Sequence, residues 1–187
     1  MIDKGIVEGI KSGDKASFES MIDICLEQCL LLAIRISGNK ADAEDIVQET
    51  FIKVWEKRSS IRQAESFIPW IRKIVVNRSY DYLRSKKRSR EFIDRVEYIN
   101  EGLISSDSAD RIVAEKEVLS LLEWIGGNLS PKQRVVFVLS EIEGMSYKEI
   151  SKITGLTGSS VKSNCYHARE KVKMIFEKAE RREDGKL

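Results

Sequence analysis

Apolar side chains recur at helical spacing along almost the whole chain, and this pattern constrains the fold more than any other feature. Only two prolines interrupt the 187 residues, and no segment alternates polar and apolar residues as a strand would. The first long example follows Asp14 and keeps one apolar face as far as Ser37, through Phe18, Ile22, Cys25, Cys29, Leu32 and Ile36. The sequence therefore predicts an all-α protein.

Three helices are predicted in the first half of the chain. Gly38 and Asn39 should end the first helix, and Asp42 is placed to cap a second that runs to about Lys57. A polar loop over residues 59–66 precedes a third helix, from Phe67 to about Arg88. We expect these helices to pack as one domain.

Residues 89–112 lose the helical period and contain six acidic residues against three basic ones. They also contain the serine-rich run 105–108, which is typical of a linker. Helical spacing resumes near Val113. We therefore predict two small helical domains (1–88 and 113–180) joined by an acidic flexible linker (89–112) and followed by a tail (181–187).

The second domain carries the signature of a helix-turn-helix. Ser130 with Gln133, and Ser146 with Glu149, form two capping boxes that each open a helix. The first helix should bury Val135, Leu139 and Ile142 and stop at Gly144. A turn at 155–157 then leads to a helix that Thr157 can cap and that should bury Val161, Cys165, Ala168, Val172 and Phe176. Two helices joined by such a turn favour DNA binding through the second helix, although an ordinary helical hairpin would give the same pattern.

The helix that begins at Phe67 has one apolar and one basic side. Ile71, Ile74, Val75 and Tyr82 form the first, while Lys73, Asn77, Tyr80, Arg84 and Lys87 lie opposite. Residues 72–90 have a net charge of +7, in a chain whose total is only +2. A basic face with an aromatic and an amide side chain suits contact with a nucleic-acid strand, and the alternative is a solvated surface helix. Arg78 lies near the apolar side and fits neither interpretation.

The preceding helix, from Asp42, shows the opposite charge. Its inward face should consist of Ala43, Val47, Phe51 and Val54, while its outward face combines Asp42, Asp45, Glu49 and Glu56 with Ile52 and Lys53. Because acidic groups repel DNA, an apolar residue ringed by carboxylates suggests a docking surface for a basic protein. A plain solvated acidic face is the alternative.

Several classes of function are disfavoured by what the sequence contains. Cys25, Cys29 and Cys165 fit no zinc or redox spacing and are expected to be buried free thiols in a reducing cytosol. The chain shows no signal peptide and no apolar run near the ~18–20 residues of a membrane span. It also lacks a glycine-rich phosphate loop or a nucleophile–histidine–acid set. We therefore expect a soluble cytoplasmic protein that is not an enzyme, with no metal, no cofactor and no membrane insertion.

Five segments together resemble the extracytoplasmic-function (ECF) sigma factors of bacterial RNA polymerase, within the sigma-70 family. DAEDIVQETFIKVW (42–55) resembles the family's polymerase-binding helix. FIPW (67–70), with Ile74, Asn77, Asp81 and Arg84, resembles its promoter-melting helix. LSPKQR (129–134), GMSYKEI (144–150) and VKS (161–163) with AR (168–169) resemble its C-terminal domain. The resemblance covers about residues 14–175, in the family's order.

The resemblance implies a function for each domain. The first would bind the β′ clamp helices of core RNA polymerase and open the −10 promoter element, with Asn77 and the 59–66 loop on the reading surface. The second would bind the β flap and read the −35 element, while the linker would thread toward the RNA exit path. The partners implied are core polymerase and promoter DNA, as duplex and as melted strand, and an anti-sigma factor or other recruiting protein remains open.

Three sets of site residues follow from the patterns and the resemblance together. The docking set is Asp42, Asp45, Gln48, Glu49 and Ile52. The melting set is Arg72, Lys73, Asn77, Tyr80, Arg84 and Lys87. The recognition set is Lys148, Ser159, Lys162, Ser163, Tyr166, His167 and Arg169.

The recognition helix departs from the family's pattern at three positions. Asn164 and His167 stand where arginine is common, and Cys165 stands where an aliphatic residue is common. Fewer fixed charges there predict weak −35 binding. The main alternative function is a helix-turn-helix repressor or response-regulator output domain that does not bind polymerase, and a sigma-sequestering scaffold would not need the basic face.

Overall fold

The computed structural model describes residues 3–61, 64–96 and 127–184, and these residues form helices joined by short turns, with no strand among them. The predicted all-α class is therefore confirmed. The predicted linker beyond Val96 and the helical segment near Val113 lie outside the described residues. None of the described helices is long and apolar enough to cross a membrane.

Four helices form the N-terminal domain: α1 (Lys4–Ser12), α2 (Lys15–Ser37), α3 (Lys40–Glu56) and α4 (Phe67–Val96). Two short 3-10 turns, Arg58–Ser60 and Ala64–Ser66, lie in the segment predicted as a polar loop. Helix α1 was not predicted, because its nine residues offer only two inward positions. Val7 and Ile10 fill them and are buried against the domain core.

Two boundaries differ from the prediction. Asn39, rather than Asp42, caps α3, since its side-chain oxygen accepts the backbone N–H of Asp42 at 3.1 Å. The physical reason is Gly38, whose φ of 74° reverses the chain at once and leaves no loop before the next helix. Helix α4 continues to Val96, eight residues past the predicted end at Arg88.

The N-terminal core lies between α2, α3 and α4. Met21, Ile36, Val54 and Val75 are completely buried in it, and Ala43, Val47, Phe51 and Val54 all face inward as predicted. At the edge the rings of Phe18 and Trp55 lie 4.9 Å apart, joining α2 to α3.

The predicted burial of the cysteines is confirmed. Cys25 and Cys29 are free and buried on α2, and Cys165 is free and buried in the C-terminal domain. Burial raises the pKa of Cys29 to about 12, so its thiol is neutral and unreactive at physiological pH.

The C-terminal domain contains α5 (Pro131–Phe137), a π-helical turn (Val138–Ile142), α6 (Tyr147–Thr154) and α7 (Gly158–Asp184). Both predicted capping boxes are present, Ser130 with Gln133 and Ser146 with Glu149. Gly155, with φ 74°, makes the turn of the helix-turn-helix, and Thr157 accepts the N–H of Ser160 at 3.2 Å as the predicted cap.

Two apolar residues predicted to face inward in this domain are exposed. Ile142 is 39% exposed because the π turn adds one residue to the helical turn and shifts the positions that follow Leu139. Phe176 is 42% exposed because α7, with 27 residues, extends past the much shorter α5 and α6 that cover Val161, Cys165 and Ala168.

We predict that α1 is a structural part of the N-terminal domain. Ile10→Ala should lower the free energy of unfolding by about 2–5 kcal/mol, the usual cost of truncating a fully buried isoleucine. Ile24→Ala, the same change at a residue that is 41% exposed, is the matched control and should cost much less. Urea unfolding followed by circular dichroism measures both, and equal costs would mean that α1 does not pack on the domain in solution.

Candidate docking and nucleic-acid interfaces

The structure brings four members of the docking set together on the outward face of α3. Asp45, Gln48, Glu49 and Ile52 are all exposed, and Ile52 shows 60% of its surface to solvent. This gives an apolar side chain surrounded by carboxylates and an amide. The face is suited to a partner that presents basic side chains around an apolar pocket.

Asp42 is placed differently from the rest of the docking set. Its side chain is only 24% exposed, and its carboxylate lies 3.0 Å from the Lys86 ammonium on α4. Burial by itself would lower the pKa of Lys86, but its hydrogen bonds to Tyr82 and Asp42 outweigh that effect and raise the pKa. Asp42 therefore joins α3 to α4.

Arg78, which the sequence pattern left unexplained, forms an ion pair with Glu49. The guanidinium and the carboxylate lie 3.3 Å apart across the seam between α3 and α4. Glu49 is therefore both exposed and held in place by a neighbouring helix. The pairing explains why a base occurs near the apolar side of α4.

The melting set divides into three groups according to its surroundings. Lys73, Arg84 and Lys87 are exposed, and the Arg84 guanidinium lies 5.6 Å from the centre of the Tyr80 ring. Asn77 and Tyr80 are half-buried, because the C-terminal domain packs against their side of α4. Arg72 forms an ion pair of 2.7 Å with Glu143, which belongs to that same domain.

The exposed part of this basic face continues onto the C-terminal domain. An open groove of about 290 Å³ runs between Tyr80, Arg84, Lys87 and Arg88 on α4 and Lys132 on α5, beside Ser130 and Pro131. Sequence reasoning missed Lys132, because no pattern within α5 relates it to α4. The basic side chains that line the groove suit contact with a phosphate backbone.

The recognition set lies on one open surface formed by α6 and α7. Lys148, Ser159, Lys162, Ser163 and His167 are exposed, and Tyr166 is 60% exposed with its ring edge-on to His167 at 5.5 Å. Asn164 does not share this surface. It is half-buried, and its amide donates to the backbone oxygen of Ser160 at 2.8 Å, which ties it to its own helix.

Arg169 differs from the other recognition residues because an acidic partner holds it. Its guanidinium lies 2.7 Å from the carboxylate of Glu141, a residue that sequence reasoning did not single out. The hydrogen bond from Arg169 is the main cause of the lowered pKa of Glu141, which is ionised at neutral pH. The charge of Arg169 is therefore partly neutralised within the protein.

The described ranges hold no group of three or more histidine, cysteine or acidic side chains that could bind a metal ion.

We predict that Glu141 limits DNA binding by Arg169. Glu141→Gln should increase affinity for a non-specific duplex and steepen its salt dependence by about one phosphate contact, because it frees one guanidinium. Glu177→Gln removes the same charge from a pair within α7, Lys173 and Glu177 at 3.9 Å, and serves as the control. Identical salt slopes for the two variants and the parent, from fluorescence anisotropy titrations, would contradict the prediction.

Comparison with known proteins gives consistent matches across both domains. Residues 25–89 match the family model described as Sigma-70 region 2, and residues 127–172 match Sigma-70, region 4. The ECF RNA polymerase sigma factor SigW of Bacillus subtilis (strain 168) is 31% identical over 177 residues, which cover 91% of this chain and 94% of SigW. The ECF RNA polymerase sigma-E factor of Haemophilus influenzae is 29% identical over 187 residues, covering 92% and 94% of the two chains.

Two solved structures share the fold. CnrH, in complex with the cytosolic domain of CnrY, superposes with a TM-score of 0.64 at 21% identity, covering 95% of this chain and 98% of CnrH. The sigma factor RpoE of Bartonella quintana, in complex with the anti-sigma factor NepR, gives a TM-score of 0.60 at 25% identity, covering 86% and 96%.

Proposed function

This chain belongs to the ECF RNA polymerase sigma factors of the sigma-70 family, and we propose how its surfaces divide the work of such a factor. It binds core RNA polymerase and directs promoter recognition, DNA melting and transcription initiation. The α3 face carries polymerase docking, the basic face of α4 carries the −10 strand, and the α6–α7 surface carries the −35 duplex.

One observation carries this assignment more than any other. The N-terminal domain presents opposite charges on neighbouring helices, with the exposed carboxylates of Asp45 and Glu49 on α3 and the exposed bases Lys73, Arg84 and Lys87 on α4. A repressor needs only the basic surface, since an acidic face repels DNA. A factor that must hold polymerase and DNA at once needs both.

Polymerase docking fits the α3 face because the face offers both charged groups and an exposed apolar side chain to a protein partner. Carboxylates steer a basic partner, and Ile52 supplies an apolar side chain that a protein partner can bury. We assign this face to the β′ clamp helices and the C-terminal domain to the β flap. The family resemblance supports both assignments.

DNA contact is assigned to the two basic surfaces by their different chemistry. Asn77 and Tyr80 offer an amide and a ring, which bind an unpaired base by hydrogen bonding and stacking. The α7 surface, with Lys162, Ser163 and Tyr166 exposed, offers hydrogen-bonding groups to a duplex groove.

A protein of this kind acts where polymerase acts, and we place it in the cytoplasm as a non-catalytic factor without a cofactor. The structure of RpoE with NepR supports an anti-sigma partner for this chain as well. Reconstitution with core polymerase on genomic DNA, followed by footprinting, tests the function as a whole. A chain that neither co-purifies with core polymerase nor protects promoters would overturn it.

The docking face gives the first functional prediction. Asp45→Lys should weaken binding to core polymerase strongly while the fold survives, because the carboxylate is exposed and faces the partner. Glu44→Lys is the matched control, since residue 44 is also exposed but lies about 100° around the helix. Pull-down with core polymerase measures binding and circular dichroism measures folding. Equal binding by the two variants would remove α3 from the interface.

Promoter opening gives the second functional prediction. Asn77→Ala and Tyr80→Ala should each lower opening. Loss of the Tyr80 ring should lower it by about one to two decades, because a base stacked on an aromatic ring contributes roughly 1–3 kcal/mol, and loss of the Asn77 amide removes a hydrogen-bonding group for a base edge. Polymerase docking and duplex binding should be nearly unchanged. A fluorescent base analogue in the −10 region of reconstituted holoenzyme reports opening, with Ser85→Ala as the control on the same helix. Parental opening by both variants would mean that another surface melts the DNA.

A further inference from the structure

The two domains are joined by one carboxylate that two guanidinium groups share. Glu143, directly after the π turn, forms ion pairs with Arg35 on α2 and with Arg72 on α4. Only 11% of the Glu143 side chain is exposed, against 37% and 36% for the two arginines. We call these three residues the Glu143 bridge. It holds a charge of the C-terminal domain between two helices of the N-terminal domain.

An apolar contact accompanies the bridge along α4. Val76, Asn77 and Tyr80 face Val135, Thr154 and Leu156 of the C-terminal domain. The gap between them is a crevice of about 10 Å³, which is at the lower limit for a single water molecule. A nucleotide base cannot enter such a space. The parts of Asn77 and Tyr80 that line this crevice are therefore closed to a base in this arrangement.

The other DNA surface remains open in the same arrangement. Lys162, Ser163, Tyr166 and His167 are exposed on the outward side of α7. The C-terminal domain thus partly covers Asn77 and Tyr80, the two base-contacting residues proposed on α4, while its own duplex-binding face points to solvent. A contact within the chain that inhibits strand binding but not duplex binding would cover one surface and leave the other exposed in this way.

We propose that this arrangement is a closed state in which the C-terminal domain blocks the melting surface, and that the Glu143 bridge holds it closed. The chain can then engage duplex DNA before it can accept a melted strand. The inhibitory effect of the closed state rests on the function proposed for Asn77 and Tyr80. The existence of the closed state does not depend on that function.

The chemistry of the bridge makes the state reversible. Both arginines are partly exposed, so salt screens the pairs and a competing anion can reach the guanidinium groups. We therefore expect the closed fraction to fall as ionic strength rises.

Hydroxyl-radical labelling of the full-length chain tests the proposal directly. Tyr80 reports the covered face, and Tyr166, which is 60% exposed, reports the radical dose within the same sample. Glu143→Gln should raise labelling of Tyr80 relative to Tyr166 several-fold and should increase the radius of gyration measured by X-ray scattering. Glu177→Gln, a neutralisation in the same domain but within one helix, should change neither quantity.

A double-mutant cycle shows whether the effect comes from the bridge. Arg35→Gln, on the opposite domain, should raise Tyr80 labelling on its own but add nothing in the Glu143→Gln background, because its partner is already lost. Arg35→Gln also serves as the test in place of Glu143→Gln if circular dichroism shows that Glu143→Gln is unfolded.

The proposal is overturned if Tyr80 in the parent is labelled as strongly as Tyr166, or if folded bridge variants leave Tyr80 protected. A separate measurement addresses the function. Binding of a single-stranded oligonucleotide should strengthen in the bridge variants while duplex binding is unchanged. If the bridge variants open the domains but bind the single strand no more strongly, the role assigned to Asn77 and Tyr80 is contradicted. The closed state itself would still be supported.

Discussion

Helix α4 packs against both halves of the protein, and the rest of the structure depends on this double contact. One side of the helix, with Ile71 and Val75, completes the core formed with α2 and α3. A second side, with Val76 and Tyr80, meets the C-terminal domain. The remaining side carries exposed bases such as Lys73 and Arg84. A helix with two apolar sides and one charged side can support two domains and still offer a surface to DNA.

The sequence predicted most of the described helices and their outward faces well, because the signals involved are local. Capping boxes at Ser130 and Ser146, the turn at Gly155 and the apolar period of α2 each depend on residues within one or two helical turns. The outward positions of Asp45, Ile52, Lys162 and Tyr166 follow from the same periods and are exposed as expected.

Contacts between distant segments were not predictable in this way. Nothing near Glu143 in the sequence indicates that Arg35, 108 positions earlier, is its partner. The same holds for Arg78 with Glu49, and for Lys132 facing the bases of α4. The exposure of Ile142 was missed because a π turn leaves no mark in a pattern that assumes 3.6 residues per turn.

The π turn also bears on how the protein can change over evolution. A π turn is an α-helix with one residue inserted, so deleting a single residue within Val138–Ile142 would restore regular helical bonding. Every position between the deletion and Gly144 would then rotate by about 100°, turning the Glu143 carboxylate away from α2 and α4. A one-codon deletion would thus remove the Glu143 bridge without altering any residue of the proposed DNA surfaces.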